Sequence, residues 1–420
     1  MSDPLELPDP LGRKAATPGT GASMGARMLT ALIAGVTVGN IGGNLLPVLL
    51  TDYSSRLRLS HTVAGILAAA QLLATAAVAL VLARRAARPG RVRTARIGCL
   101  IAGAGFAGAG LAQAPAQLAI AHVVAGAGLG AVFAASSAGL ASTDDADRAS
   151  TLSVFGSTVV TAVLLLVVPA VNDIGGGGAG FAVVAAGCGA AYVLVGGLPD
   201  GCEAHGAELG GAKPGPGSAP GPVLLGAVAL LAATDQGAWS YAAVLGEEHV
   251  HLSSSAVSSV LAVAGIGALA GITAASLTAR RFGRAPALLG CVLLEAVAKW
   301  AIAWGDSAAT YTVATVLWQA CYLAVLVLLI SVMAEIDPGG RWVAAGSGAV
   351  AVGTALGPPA VGAVLDATSA PALGVVLALA TCIAVGPLLR VTSSGAMMPA
   401  PMPPPPVAGT APPPEPRGPQ

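Results

Sequence analysis

Charge is scarce in this chain of 420 residues. Only 10% of them are Asp, Glu, Lys or Arg, where soluble proteins carry about a quarter. So few charged side chains cannot cover the surface of a soluble fold, which excludes one. Lysine is nearly missing: Lys14, Lys213 and Lys299 are the whole set. The formal net charge is zero, the arginines lie between apolar runs, and no basic patch alternates with aromatic residues. A nucleic-acid partner is therefore not expected. The six cysteines, Cys99, Cys188, Cys202, Cys291, Cys321 and Cys382, form no CxxC pair, and five fall inside apolar runs. They read as buried thiols rather than disulfides or zinc ligands. No ATP-binding motif occurs, and the glycines from Gly175 to Gly178 follow no strand, so phosphate cradling is not indicated. Neither a cofactor nor a metal is expected. The cluster Glu247-Glu248-His249-Val250-His251 reads as a short, mobile, charged loop. Residues 1–26 are polar with Pro and Gly, and the apolar run after them is too long for a signal-peptide core.

What the chain has in abundance is apolar sequence: 55% of residues are hydrophobic and the mean hydropathy is +0.79. A helix needs about 20 mostly apolar residues to cross a bilayer. Twelve such runs are present, at 28–50, 61–83, 95–113, 117–141, 150–171, 179–198, 223–245, 254–279, 285–304, 309–333, 342–365 and 371–390. The expected fold is an all-α integral membrane protein of twelve transmembrane helices. Its expected parts are a cytoplasmic N-terminal segment (1–27), a six-helix bundle (28–198), a cytoplasmic central loop (199–222), a second six-helix bundle (223–390) and a disordered Pro-rich tail (391–420). With the N-terminus in the cytoplasm, only Arg56 and Arg58 of the 20 basic residues face outward; Lys299 lies within a span and the rest face inward. The positive-inside rule thus places both termini in the cytoplasm of a multi-pass cell-membrane protein.

The two halves repeat. Ala83-Arg84-Arg85-Ala86-Ala87-Arg88 follows the second run, and Ala279-Arg280-Arg281-Phe282-Gly283-Arg284 follows the eighth. The first runs of the two halves begin at nearly the same offset as these loops. Parallel repeats of this kind mark one transporter architecture.

On these residues the chain resembles the major facilitator superfamily of transporters. That family has a basic loop after helix 2, repeated after helix 8, with an R-x-G-R core. Arg281, Gly283 and Arg284 match the core in the second half; Arg85 and Arg88 match it in the first, with Ala87 in place of glycine. The family's loop aspartate is replaced by Arg84 and Arg280. The stretch from His122 through Gly126, Gly128 and Gly130 is similar to the family's glycine-rich helix 4, with histidine in place of arginine. Thr143–Arg148 resembles its short acidic turn, and Asp337–Arg341 with Gly353–Pro359 resembles its helix 11. The resemblance covers about residues 28–390. It implies two six-helix bundles around a cavity lined by helices 1, 4, 7 and 10, alternating access, a peripheral helix 9, and function as a monomer. It also implies that the basic loops hold the inward-facing helix ends together.

Several residues are candidates for chemistry at membrane depth. An ionisable side chain there costs about 2.5–3.5 kcal/mol and persists when partnered or used. Asp235 lies near the centre of span 7, where burial penalises its charged form, so reversible protonation is expected. Asn40 sits at the same depth in span 1, and Asn44 one turn later on the same face. Pro47 should kink the end of that span. Gln236, Trp239, Tyr241, Trp318, Gln319 and Tyr322 are candidate cavity residues that suit ring-bearing or amphipathic solutes. His122 is a candidate proton relay or an interfacial histidine. Glu295 and Lys299, spaced i,i+4, are expected to pair on one helix face, with Lys299 reaching outward.

The functional expectation is secondary transport of a small organic molecule with protons as the partner ion, through efflux by antiport. Proton-coupled uptake of a nutrient is the alternative. A transport-inactive sensor or scaffold that uses the Pro-rich tail is a third reading. Ser, His and acidic residues do not gather as an enzyme's would along the chain.

Overall fold

The computed structural model describes residues 24–86, 88–200, 221–336 and 341–395. The expected polar N-terminal segment (beyond its last four residues), most of the central loop, the helix-11 opening at 337–340 and the Pro-rich tail from 396 lie outside the described residues. Thirteen α-helices are present among the described residues. They are α1 (Ala26–Asn44), α2 (Leu46–Leu57), α3 (His61–Ala86), α4 (Arg91–Leu111), α5 (Pro115–Leu140), α6 (Ala146–Gly175), α7 (Ala179–Leu194), α8 (Pro222–Val244), α9 (Ser254–Phe282), α10 (Arg284–Trp304), α11 (Ala308–Ile336), α12 (Arg341–Ala367) and α13 (Ala370–Gly395). Eleven are apolar and long enough to cross a membrane alone. The pair α1 and α2, bent by 46°, is long and apolar enough together, and counted as one broken span it brings the number to twelve.

The break follows from Pro47. Proline has no N–H to give to the carbonyl four residues back and its ring crowds that carbonyl. Pro47 stands in the first turn of α2, a place where the missing donor does no harm. The expected kink is therefore a full break, and the first span extends to Leu57 rather than 50.

The two halves pack alike. In the first, α4 lies against α5 and α7, and α3 against α5; in the second, α10 lies against α11 and α13, and α9 against α11. The halves meet where α3 crosses α12, α6 crosses α9 and α2 touches α8. Without a hydrophobic driving force in lipid, helices approach through small residues. Gly98 on α4 and Gly128 on α5 are a reciprocal example: a Cβ on Gly98 would lie 2.7 Å from the Gly128 carbonyl oxygen, and one on Gly128 2.6 Å from that of Gly98. Gly98→Val is expected to cost about 1–3 kcal/mol by overpacking. Gly189→Val, whose added Cβ meets nothing within 4 Å, should leave thermal unfolding unchanged. Equal midpoints for the two variants would count against close packing at Gly98.

Two expectations are corrected by the fold. The sequence repeat aligns Ala87 with Gly283, but the positive-φ glycine preceding α4 is Gly90 (φ 107°), the counterpart of Gly283 (φ 88°) before α10. The residue after Gly90 is an arginine that faces inward. Arg91 is fully buried, and it donates to the carbonyls of Ala86 and Pro199 and to the Ser142 hydroxyl at 2.8–2.9 Å. Among the motif arginines, Arg84 and Arg85 end α3, Arg280 and Arg281 end α9, and Arg284 opens α10. Arg85 donates to the Pro89 carbonyl at 2.8 Å. The charged cluster after α8 is not a loose loop either: residues Leu245–His249 continue the helix as a π-helical turn.

Candidate functional site

A cavity of about 390 Å³ lies between the halves, within the range of small-molecule sites. Its wall comes from α1, α6, α8, α9, α11 and α12. Amides of Asn40, Asn44, Gln236 and Gln319, the rings of Trp239 and Tyr322, and hydroxyls such as Thr161 and Thr354 line it among Val, Leu and Ala side chains. Asp235 is the one carboxylate among the lining residues, and no basic side chain accompanies it there.

One end of the cavity is shut by contacts between the halves. Because Pro47 has no N–H, the Gly43 carbonyl lacks its usual helical partner; it accepts from Gln236 Nε2 at 3.3 Å. The Asn44 carbonyl, at the end of α1, accepts from Trp239 Nε1 at 3.1 Å. The helix break thus supplies the acceptors to which α8 docks. Beyond this layer, the Tyr241 hydroxyl donates to the His61 carbonyl at 2.5 Å. Asp366 at the end of α12 accepts from the backbone N–H groups of His61 and Thr62 (3.0 and 2.8 Å) and from the Thr62 hydroxyl (2.6 Å). These are the free N–H groups of the α3 N-terminus, the usual place for a capping carboxylate. Glu248 lies 3.8 Å from the His61 ring. The lining residues run from Trp239 and Asn44 the other way, toward the ends at which α1, α6, α8 and α12 begin.

Behind the cavity wall Asp235 enters an ion cluster. Lys299 Nζ lies 2.7 Å from Asp235 Oδ1 and 2.5 Å from Glu295 Oε1. It also donates to the hydroxyls of Thr234 at 3.0 Å and Thr381 at 3.4 Å. Trp318 Nε1 donates to Asp235 Oδ1 at 3.1 Å. Asp235 is 6% exposed, Lys299 1% and Glu295 0%. The expected i,i+4 pair forms, but Lys299 does not reach outward: its stem is buried and its ammonium points into the second half. In lipid an outward lysine at this depth would leave both Asp235 and Glu295 without a counter-ion, so the inward rotamer is the low-energy one.

The other candidates divide. Asn40, Asn44, Gln236, Trp239, Gln319 and Tyr322 line the cavity with Asp235; Asn40 also donates to its own helix at the Val36 carbonyl, 2.9 Å away. Trp318 is buried behind the wall, 6.3 Å ring to ring from Trp239. Tyr241 is a contact between the halves and not a lining residue. His122 is neither interfacial nor in the cavity. It is fully buried, with the Tyr53 hydroxyl 2.6 Å from Nε2 and the Gln71 side chain against Nδ1. Tyr53 lies on the broken-off α2, which periodicity cannot orient, so spacing along the chain does not reveal this network. Nearby, Asp52 accepts from the Gly178 N–H at 2.8 Å, and Arg56 donates to the carbonyls of Ala109, Gly110 and Ala112. Among the described residues no group of three or more His, Cys, Asp or Glu side chains is placed to hold a metal.

No protein-family model and no curated protein sequence matches the chain. Solved structures do. A bacterial homologue of the human lysosomal transporter Spinster, in an inward-facing and unoccupied conformation, shares 16% identity at a TM-score of 0.65, covering 90% of this chain and 100% of that one. The nucleoside transporter NupG shares 12% identity at 0.65, covering 90% and 100%. The peptide transporter POT, in complex with sulfate, shares 11% identity at 0.70, covering 89% and 97%. With eleven or twelve spans in two like-packed bundles, the chain has the fold of the major facilitator superfamily transporters.

Proposed function

We propose that the chain is a secondary transporter of a small, weakly polar organic molecule, driven by protons and exporting its substrate by antiport. The observation that carries this reading is the placement of Asp235. It faces a small-molecule-sized cavity midway along α8, while its other side is tied to a buried ammonium and a second buried carboxylate. Fully ionised, Asp235, Glu295 and Lys299 carry one net negative charge. Burial penalises that state, so a single proton neutralises the cluster at low cost. Proton uptake and cavity occupancy then act on the same carboxylate, which is what coupling requires. The aromatic and amide lining suits a ring-bearing solute. With both termini in the cytoplasm, as the positive-inside rule expects, the end shut by contacts between the halves faces outward and the lining runs toward the cytoplasm, where an exporter loads. The transporters of like fold support movement of a small molecule over catalysis.

The test uses everted vesicles containing the protein and energised to an acidic interior. A panel of antibiotics, dyes, organic acids and amino acids is added, and loss of the pH gradient is recorded. Wild type is expected to lose the gradient with at least one compound, and Asp235→Asn with none. Equal loss with both would place the coupling group elsewhere. No loss with wild type would turn the balance toward uptake or another driving ion.

A further inference from the structure

Two carboxylates share the Lys299 ammonium, and one of their oxygens is left over. Glu295 Oε1 receives Lys299 at 2.5 Å. Glu295 Oε2 is buried with no hydrogen-bond partner. A buried acceptor without a donor is costly, more so when charged. A proton on that oxygen removes the charge and converts it into a donor. Glu295 and Asp235 meet the same Lys299 ammonium, at 2.5 and 2.7 Å, so a protonated Glu295 stands beside the Asp235 carboxylate. Asp235 lines the cavity, whereas Glu295 does not.

The surroundings leave few other candidates for the charge change. Around Glu295, α8 presents Asp235, α10 presents Lys299 and Cys291, and α11 presents Cys321 and Tyr322. From α13 comes the Thr381 hydroxyl, and the charged residues of α9, Arg280 and Arg281, are confined to its last turn. Thiols and phenols are uncharged at neutral pH. The charge balance therefore rests on two carboxylates and one ammonium.

We propose that Glu295, and not the cavity-facing Asp235, is the resting place of the coupled proton, with Asp235 passing it between Glu295 and water in the cavity. This rests on the proton-coupled reading above. The transfer balances: the O–H bond on Asp235 breaks as the one on Glu295 Oε2 forms, and Lys299 remains an ammonium throughout. Asp235, relieved of the proton, is again available to the cavity. Glu295 is thereby a positioning and storage group, set one layer behind the site.

The experiment is an infrared difference spectrum of the purified full chain in liposomes, taken on acidification with no compound added. Wild type is expected to gain a carboxylic-acid C=O band whose frequency shifts in Glu295→Asp and stays in place in Asp235→Glu, swaps that keep the charge of the cluster. A band that shifts in Asp235→Glu and not in Glu295→Asp would overturn the assignment, as would no band in wild type. Should a swap fail to fold, wild type carrying carboxyl-13C glutamate serves instead: its band is expected to move to lower frequency, and an unmoved band overturns the assignment. Run beside the vesicle assay, the two readings separate. A compound that collapses the gradient equally in wild type and Glu295→Gln defeats the storage role while leaving transport intact. A Glu295-dependent band without any gradient collapse supports the proton site and counts against the export reading.

Discussion

Lys299→Met is expected to destabilise the protein by about 3–5 kcal/mol, because removing one member of a buried ion set leaves the remaining charges without compensation. Here one ammonium serves two carboxylates, at 2.7 and 2.5 Å, and the neighbouring hydroxyl and indole donors of Thr234, Thr381 and Trp318 cannot replace it. The triple variant Lys299→Met, Asp235→Asn, Glu295→Gln removes the charges as a set. Such sets are near neutral when replaced together, so the triple variant should recover most of the loss while remaining unable to respond to protons. Thermal unfolding in detergent, followed by tryptophan fluorescence, reads both. A Lys299→Met midpoint equal to wild type would mean that the ammonium does not stabilise the cluster. A triple variant as unstable as the single one would mean that the lysine stem, rather than its charge, holds the helices.

The double variant Asp366→Ala, Tyr241→Phe is expected to loosen the closed end of the cavity. Asp366 caps α3 from α12, and a lost cap costs about 1 kcal/mol. The Tyr241 hydroxyl bond to His61 contributes about another. Together they favour the opposite conformation by roughly 2 kcal/mol, or about thirtyfold in population. Gln319→Cys, in the cavity wall, on a cysteine-free background and labelled from the side of the α2–α3 loop by a membrane-impermeant maleimide, reports the change. Labelling should accelerate by roughly that factor. An unchanged rate would show that these bonds do not hold the end shut and would shift attention to the Trp239 and Gln236 contacts with α1.

Much of this is legible in the sequence because the relevant interactions are local. The spans follow from run length against bilayer thickness. The α1–α2 break follows from the missing N–H of Pro47. The Glu295–Lys299 pair follows from helical spacing. Six of the candidate residues besides Asp235 line the cavity because helix depth can be counted along the chain. Where sequence and structure differ, the cause is shared. The position of its helix points Lys299 outward, and the start of its span puts His122 at an interface. In each case the side chain's partner is supplied by another helix or by a distant turn, and spacing along one helix carries no information about it.

By itself, then, the sequence determined the solvent, the number of crossings and the two-fold repeat, because burying backbone in lipid leaves an apolar chain little choice but helices. It also determined which residues stand at mid-membrane depth. Only the tertiary structure decided which of those residues meet. The freed carbonyls of Gly43 and Asn44 could have been satisfied by several donors, and Asp235 could have remained alone in the cavity. The close approach of α8, α10 and α13 brings Lys299 to it instead, since a buried carboxylate without a counter-ion is the costlier arrangement.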